Sequence, residues 1–165
     1  MAVVTKAIDQ PALRALEQTR AIAHGLPPMN PALRTFFSRD RFAAHNGIEL
    51  LDAGPGWATA RMTVGDQHLN AADVVHGGAL FTLADLVFAV ASNSHGQLAL
   101  GINVSISYLK AARAGSLTAE AREVSRNSKL ATYTMEIRDE AGDLIALAHG
   151  TVYRKDTPIP TAETA

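Results

Sequence analysis

The chain has 165 residues, enough for one compact domain with a short extension and too few for two full-size domains. Its residues are 47% hydrophobic, and 15 basic side chains against 16 acidic ones leave a formal charge of −1, which excludes a general polyanion binder. With no cysteine there is no disulfide scaffold, thiol nucleophile or thiolate-held metal, and 5% aromatic residues is too few for a base-stacking surface.

The opening MAVVTKAIDQPALRALEQ lacks the unbroken apolar core of a signal peptide, which with the missing cysteines fits a cytoplasmic protein. PALRALEQTRAIAHG reads as an amphipathic helix, with Leu13, Leu16 and Ile22 near helical spacing and Gly25 placed to stop it. Pro27, Pro28 and Pro31 break the chain. A second helix is expected to start after Asn30 as its cap, with Pro31 at the first helical position, and to run through NPALRTFFSRDRFAAHN to Gly47. Residues 1–46 therefore read as a helical N-terminal arm.

From Ile48 the period shortens to two. IELLDAGPGWATARMTV reads as two strands hinged at Gly54-Pro55-Gly56, with Ala58, Ala60 and Met62 alternating against Trp57, Thr59 and Arg61. A loop containing Asn70 leads to a helix, HGGALFTLADLVFAVASNSHG, closed by Gly96. Four antiparallel strands follow, joined by AARAGS, SRNSK and EAGD, turns rich in Gly, Asn, Ser and Asp. In the first of them Ile102, Val104, Ile106 and Tyr108 are expected to share one face. In the last, His149 reads as a core or interface histidine. The expected organisation is an arm over 1–46, an α+β domain over 47–155, and a disordered tail over 156–165.

The helix after residue 76 carries the chemistry. Between Gly77 and Ala91 only Thr82 and Asp85 are neither apolar nor glycine. A helix apolar nearly all round is buried or spans a membrane, and this one is shorter than the ~20 residues a bilayer needs. Burial is the expectation, with Leu80, Leu83, Val87 and Phe88 facing the sheet. An ionised carboxylate in that setting is costly unless paired, hydrogen-bonded or used. The plain alternative is a carboxylate that faces a wet groove or pairs with a nearby lysine. Gly78, Thr82, Asp85, Ala89 and Ser92 fall at spacings of four, three, four and three, one narrow stripe that suits a ligand or a second backbone lying along the helix.

His76-Gly77-Gly78 puts two residues without side chains where a first turn exposes unpaired N–H groups and the positive end of the dipole. Such an end suits an oxyanion. Gly77 and Asp85 are eight residues apart, or ~12 Å along the axis, so one helix cannot present both to the same carbonyl. Two antiparallel copies can, each lending its N-terminus to the other's carboxylate in a two-fold dimer.

The pattern N-x5-HGG-x6-D, formed by Asn70, His76-Gly77-Gly78 and Asp85, resembles the hotdog-fold acyl-CoA thioesterases, most of all the phenylacetate-degradation (PaaI-type) group. The likeness covers about residues 45–155. It implies an antiparallel sheet wrapped around a long central helix, and subunits paired as a homodimer or a dimer of dimers. It implies that the Gly77 N–H donates to the thioester carbonyl while Asp85 of the partner acts as base or nucleophile. Asn70 would position water or the thioester, and His76 would orient the helix entry rather than exchange protons. The substrate would be an aryl-acetyl, aryl or medium-chain acyl-CoA, with no cofactor besides the CoA that the substrate carries and with no nucleic-acid or membrane partner. For the coenzyme, Thr82 lies on the stripe, and Lys110, Arg113, Arg126 and Lys129 beside turns are expected phosphate contacts as a group; each read singly is a solvated turn charge.

Two other classes compete. Enoyl hydration on this fold pairs its aspartate with a histidine five residues later, where this chain has Val90. A non-catalytic acyl-CoA-binding module would bind without turnover. The remaining histidines show no metal-ligand spacing, and no serine sits in a nucleophile elbow.

Overall fold

A computed structural model describes residues 29–160. The helix expected over residues 11–25 lies outside that range, as does 161–165 of the expected tail. The elements run α1 (Pro31–Phe37), α2 (Arg41–His45), β1 (Ile48–Gly54), β2 (Trp57–Thr63), a 3-10 turn (Asp66–His68), α3 (Gly77–Asn93), β3 (Gln97–Tyr108), β4 (Ser116–Arg126), β5 (Leu130–Arg138) and β6 (Leu144–Pro158). The strands form one antiparallel sheet in the order β1-β2-β4-β5-β6-β3, with α3 laid across its inner face. Among the described residues no helix is long and apolar enough to cross a membrane.

Strand alternation sets which side chains meet the helix. Ala58, Ala60, Ala119, Ala121 and Ala148 point inward and are fully buried, so the sheet's inner face is shallow and α3 can lie close to it. The helix answers with Leu80, Leu83, Val87 and Phe88, all buried as the sequence predicts. Phe88 sits deepest. Its ring meets Tyr133 edge to face at 5.6 Å, and a Cβ added at Gly150 would lie 2.7 Å from Phe88 Cζ. Gly101, on the next strand, would bring a Cβ to 3.2 Å from the same ring. Glycines on two strands thus form the notch that admits the ring.

Several expectations are corrected. The second arm helix is two, because the Asp40 carboxylate accepts from the N–H groups of Phe42 (3.1 Å) and Ala43 (2.9 Å) and starts a new helix there. Asn30 does cap the first, accepting from Ala32 N–H at 2.9 Å with Pro31 at the first position. β6 runs to Pro158, three residues into the segment read as a tail: Pro158 pairs with Gln97, Lys129 Nζ reaches Asp156 at 2.5 Å, and Ile159 is buried. Ile102 leaves the row of Val104, Ile106 and Tyr108 because a bulge between Gly101 and Asn103 turns it out to solvent. His149 faces outward, exposed between Ser105 and Thr134 on the neighbouring strands, and is no core residue.

At the C-terminal end of α3, Glu123 accepts from Tyr133 Oη (2.8 Å), His95 Nε2 (2.8 Å) and Arg126 Nε (3.2 Å). Burial works to raise its pKa, but these donors outweigh it and hold the carboxyl below the usual range. The cluster ties the end of the helix to β4 and β5.

Candidate active site

The entry to α3 is built from backbone bonds upward. Asn70 folds its loop by accepting from Ala72 N–H (2.8 Å) and Val74 N–H (3.4 Å) at Oδ1, and its own N–H donates to Val74 O at 2.8 Å. Its Nδ2 has no acceptor among the described residues. His68, buried, accepts from Gly65 N–H at Nδ1 (3.0 Å), lies 3.1 Å from Asn46 O at Nε2, and through its carbonyl accepts from His76 N–H (2.7 Å). That fixes His76, whose Nδ1 accepts from Gly78 N–H at 2.8 Å and caps the helix. With Nδ1 engaged as an acceptor, a neutral ring keeps its proton on Nε2.

A count of the first-turn donors isolates one group. The N–H groups of Ala79 and Leu80 go to His76 O at 2.9 and 3.2 Å, and Gly78 N–H goes to the His76 ring. Gly77 N–H alone among them has no acceptor among the described residues. It points from the positive end of a 17-residue helix, the arrangement that receives a developing oxyanion.

Asp85 lies two turns further on. The helix is not covered all round, as the sequence suggested: the sheet takes one side, and Gly78 and Asp85 are exposed, with Thr82 and Ala89 half-buried, along the other. Ser92, expected as the last member of the stripe, is 2% exposed and donates to Ala89 O at 3.0 Å, so the open strip ends at Ala89. The Thr82 hydroxyl is turned back onto its own helix, donating to Gly78 O at 2.8 Å, and offers only its lone pairs outward. The Asp85 carboxylate has no hydrogen bond or ion pair among the described residues.

Asp85 reaches solvent, but the protein around its base partly desolvates the carboxylate and raises its pKa above the ordinary range; the Asp40 carboxylate adds to the rise. The sequence hides this role of Asp40, because a single helix from Pro31 to Gly47 makes it an interior helical residue. Asp40→Asn keeps the cap, since Asn and Asp cap about equally well, and removes the charge. The acid limb of any activity that needs ionised Asp85 should then move to lower pH, as pH–rate profiles of the two proteins would show. An unmoved limb would mean that Asp40 does not act on Asp85.

The four basic turn residues do not form one cluster. Lys110 and Arg113 lie at the Gly77 end, where Val75 N–H donates to Ala112 O at 2.8 Å. Arg126 and Lys129 lie at the other end of β4, ~33 Å away at strand rise. Lys110 is paired with Asp139 and Asp143, Arg126 with Glu123, and Lys129 with Asp156. Arg113 is exposed and has no ion-pair partner among the described residues. A residue the sequence did not single out joins the Gly77 end: Tyr108, whose hydroxyl donates to Gly77 O at 3.0 Å.

A family model described as the thioesterase superfamily matches residues 72–146, from the loop before α3 into β6. A curated protein of Archaeoglobus fulgidus with an esterase name is 57% identical over 119 residues, covering 68% of this chain and 77% of that one. The chain belongs to the thioesterase superfamily. The acyl-coenzyme A thioesterase PaaI of Escherichia coli is 35% identical over 72% of this chain and 85% of its own. The solved structure of that E. coli protein, from the phenylacetic acid degradation operon, matches with a TM-score of 0.75 at 33% identity, covering 78% of this chain and 94% of its own. A hypothetical thioesterase protein of Streptococcus pneumoniae, solved with coenzyme A, matches with a TM-score of 0.70 at 25% identity, over 77% and 99% of the two chains. The sheet around α3 is the hotdog fold, and the PaaI-type likeness read from the Asn70–Asp85 motif holds.

Proposed function

We propose that this superfamily member hydrolyses the thioester of an acyl-CoA with an aryl-acetyl, aryl or medium-chain acyl group, and that each site is shared by two protomers. The observation that carries the reading is the pair of unengaged groups on one open helix face: the Gly77 N–H at its entry and the Asp85 carboxylate two turns along. Their separation of ~12 Å along a single helix is what calls for a second, antiparallel copy. β3 supports the pairing: it is a twelve-residue sheet edge bonded only to β6, exposing Leu100, Ile102 and Tyr108 with no proline or lysine to guard it. A second copy laid along it covers the edge and brings the helices side by side, as a dimer or within a dimer of dimers.

In the proposed reaction the carbonyl oxygen of the thioester accepts from Gly77 N–H. The partner protomer's helix supplies the aspartate, which takes a proton from water as the water oxygen bonds to the carbonyl carbon. The tetrahedral intermediate collapses, the C–S bond breaks, and the thiolate recovers that proton, leaving a carboxylic acid and free CoA. The raised pKa of Asp85 suits a base, since it strengthens the carboxylate as a proton acceptor. Asn70 Nδ2 orients water or thioester, and His76 holds the entry without exchanging protons. Gly78, with no side chain, keeps the approach open, and Thr82 lines it. Arg113, with Lys110 beside it, receives the coenzyme's phosphates, whereas Arg126 and Lys129 tie down the far turn. A thioester is already an activated acyl group, so neither a metal nor a further cofactor enters the scheme.

A panel of acyl-CoA substrates with a thiol-trapping dye tests the reading. Stoichiometric release of free CoA from at least one aryl or medium-chain substrate is expected. Tight binding across the panel without thiol release would favour a non-catalytic acyl-CoA-binding module instead.

A further inference from the structure

Glycine at position 77 is not demanded by its backbone, because its φ is not among the positive values of the described chain. A tertiary neighbour crowds it. A Cβ at Gly77 would lie 3.0 Å from both Cζ and Oη of Tyr108 and 3.2 Å from Cε2, so the tyrosine ring lies directly on the Gly77 Cα. The hydroxyl of the same side chain donates to Gly77 O at 3.0 Å. Tyr108 comes from the last position of β3, thirty-one residues away in sequence, and 52% of its surface remains in solvent. Core packing therefore does not explain the contact.

Two successive glycines make a loose helix entry, since glycine has the widest backbone freedom of any residue. Gly78 is held by the His76 cap, and its added Cβ would meet only that ring, at 3.0 Å from Nδ1. Gly77 N–H is the one first-turn donor with no bond to hold it. Beyond the helix's own bonds, what restrains that residue is the ring on its Cα and the hydroxyl on its carbonyl. A donor aimed at a developing oxyanion is effective only when its direction is fixed beforehand, because reorganisation at the moment of reaction is what such a site avoids.

We infer that Tyr108 is a positioning residue for thioester hydrolysis, clamping Gly77 through ring and hydroxyl so that its N–H stays free and fixed in direction. This rests on the proposed role of Gly77 and adds the group that makes the role possible.

Tyr108→Phe keeps the ring and removes the hydroxyl. Losing an oxyanion donor outright costs about 10²–10³ in kcat, so loosening one should cost about tenfold, with KM held within about twofold. The melting temperature should change little, because the ring that fills the contact is kept and only one hydrogen bond is lost. The Gly77 amide, followed by NMR relaxation, should show a lower order parameter in the variant. A Tyr108→Phe protein with kcat within about twofold of the parent, or with the loss entirely in KM, would overturn the inference. Absence of turnover in the parent would defeat the functional reading alone. The order parameter then decides without substrate: a lowered Gly77 value in Tyr108→Phe sustains the clamp and an unchanged one refutes it.

Discussion

Asp85→Asn should lose about 10²–10⁴ in kcat, the contribution of a general base, while melting at a higher temperature than the parent at pH 7. Asparagine has nearly the shape of aspartate and cannot take a proton from water, so the rate falls without a steric cause. The stability change follows from linkage. Folding raises the pKa of Asp85, so the fold disfavours its charged form. The stability this group contributes is fully present below its unfolded pKa of about 3.9 and is lost as pH rises through the raised folded value. At neutral pH the parent therefore carries a penalty that the amide lacks, and the gap in melting temperature should narrow as pH falls toward that value. A variant that is both inactive and less stable at pH 7 would show Asp85 to be a structural partner rather than a strained functional group.

Phe88→Ala should destabilise the fold by about 3–5 kcal/mol, a large part of the 5–15 kcal/mol that holds a domain together. The ring is 1% exposed and lies in a notch walled by Gly101 and Gly150. Most large-to-small changes are softened when neighbouring side chains relax into the void. Here two neighbours have no side chain to move, and the third, Tyr133, is held by its hydroxyl at 2.8 Å from Glu123. The cavity should stay open, which puts the cost at the upper end of the range. Urea unfolding with an unchanged m-value and a lowered midpoint would bear this out, and a loss under about 1 kcal/mol would mean that the sheet closes over the gap.

Much of the fold was legible because local signals and tertiary demands agree. Asn30-Pro31 starts a helix, Gly54-Pro55-Gly56 turns a hairpin, and the alternation in β2, β5 and β6 gives the inner face directly. What escaped depends on contacts far apart in sequence. Asp40 could equally be an exposed helix residue or a cap, and only the geometry of Phe42 and Ala43 decides. The polar, proline-containing segment after Lys155 becomes strand only because Gln97 and Lys129 lie beside it. Apolar periodicity showed that α3 is buried but not that the sheet stops short and leaves Asp85 exposed. The motif itself, Asn70 to Asp85, was readable because its parts lie within one loop and one helix. Tyr108 was not, since nothing local to β3 marks a side chain that ends on Gly77.

The shared site can be tested directly by putting each half on a different chain. Gly77→Pro deletes the N–H at a position where helices accept proline, and His76 already has φ −62° and ψ 136°, the extended conformation a residue before proline needs. The Tyr108 ring must shift to admit the new carbons, and since the N–H it holds in direction is deleted in the same change, that shift removes no further function from this half-site. Co-expressing Gly77→Pro and Asp85→Asn chains with different tags, and purifying the mixed oligomer through both, leaves one site with an intact N–H and an intact carboxylate from opposite chains. That mixture should recover about one quarter to one half of parental turnover, while either variant alone stays inactive. A mixed oligomer as inactive as its parents would contradict a site shared between protomers.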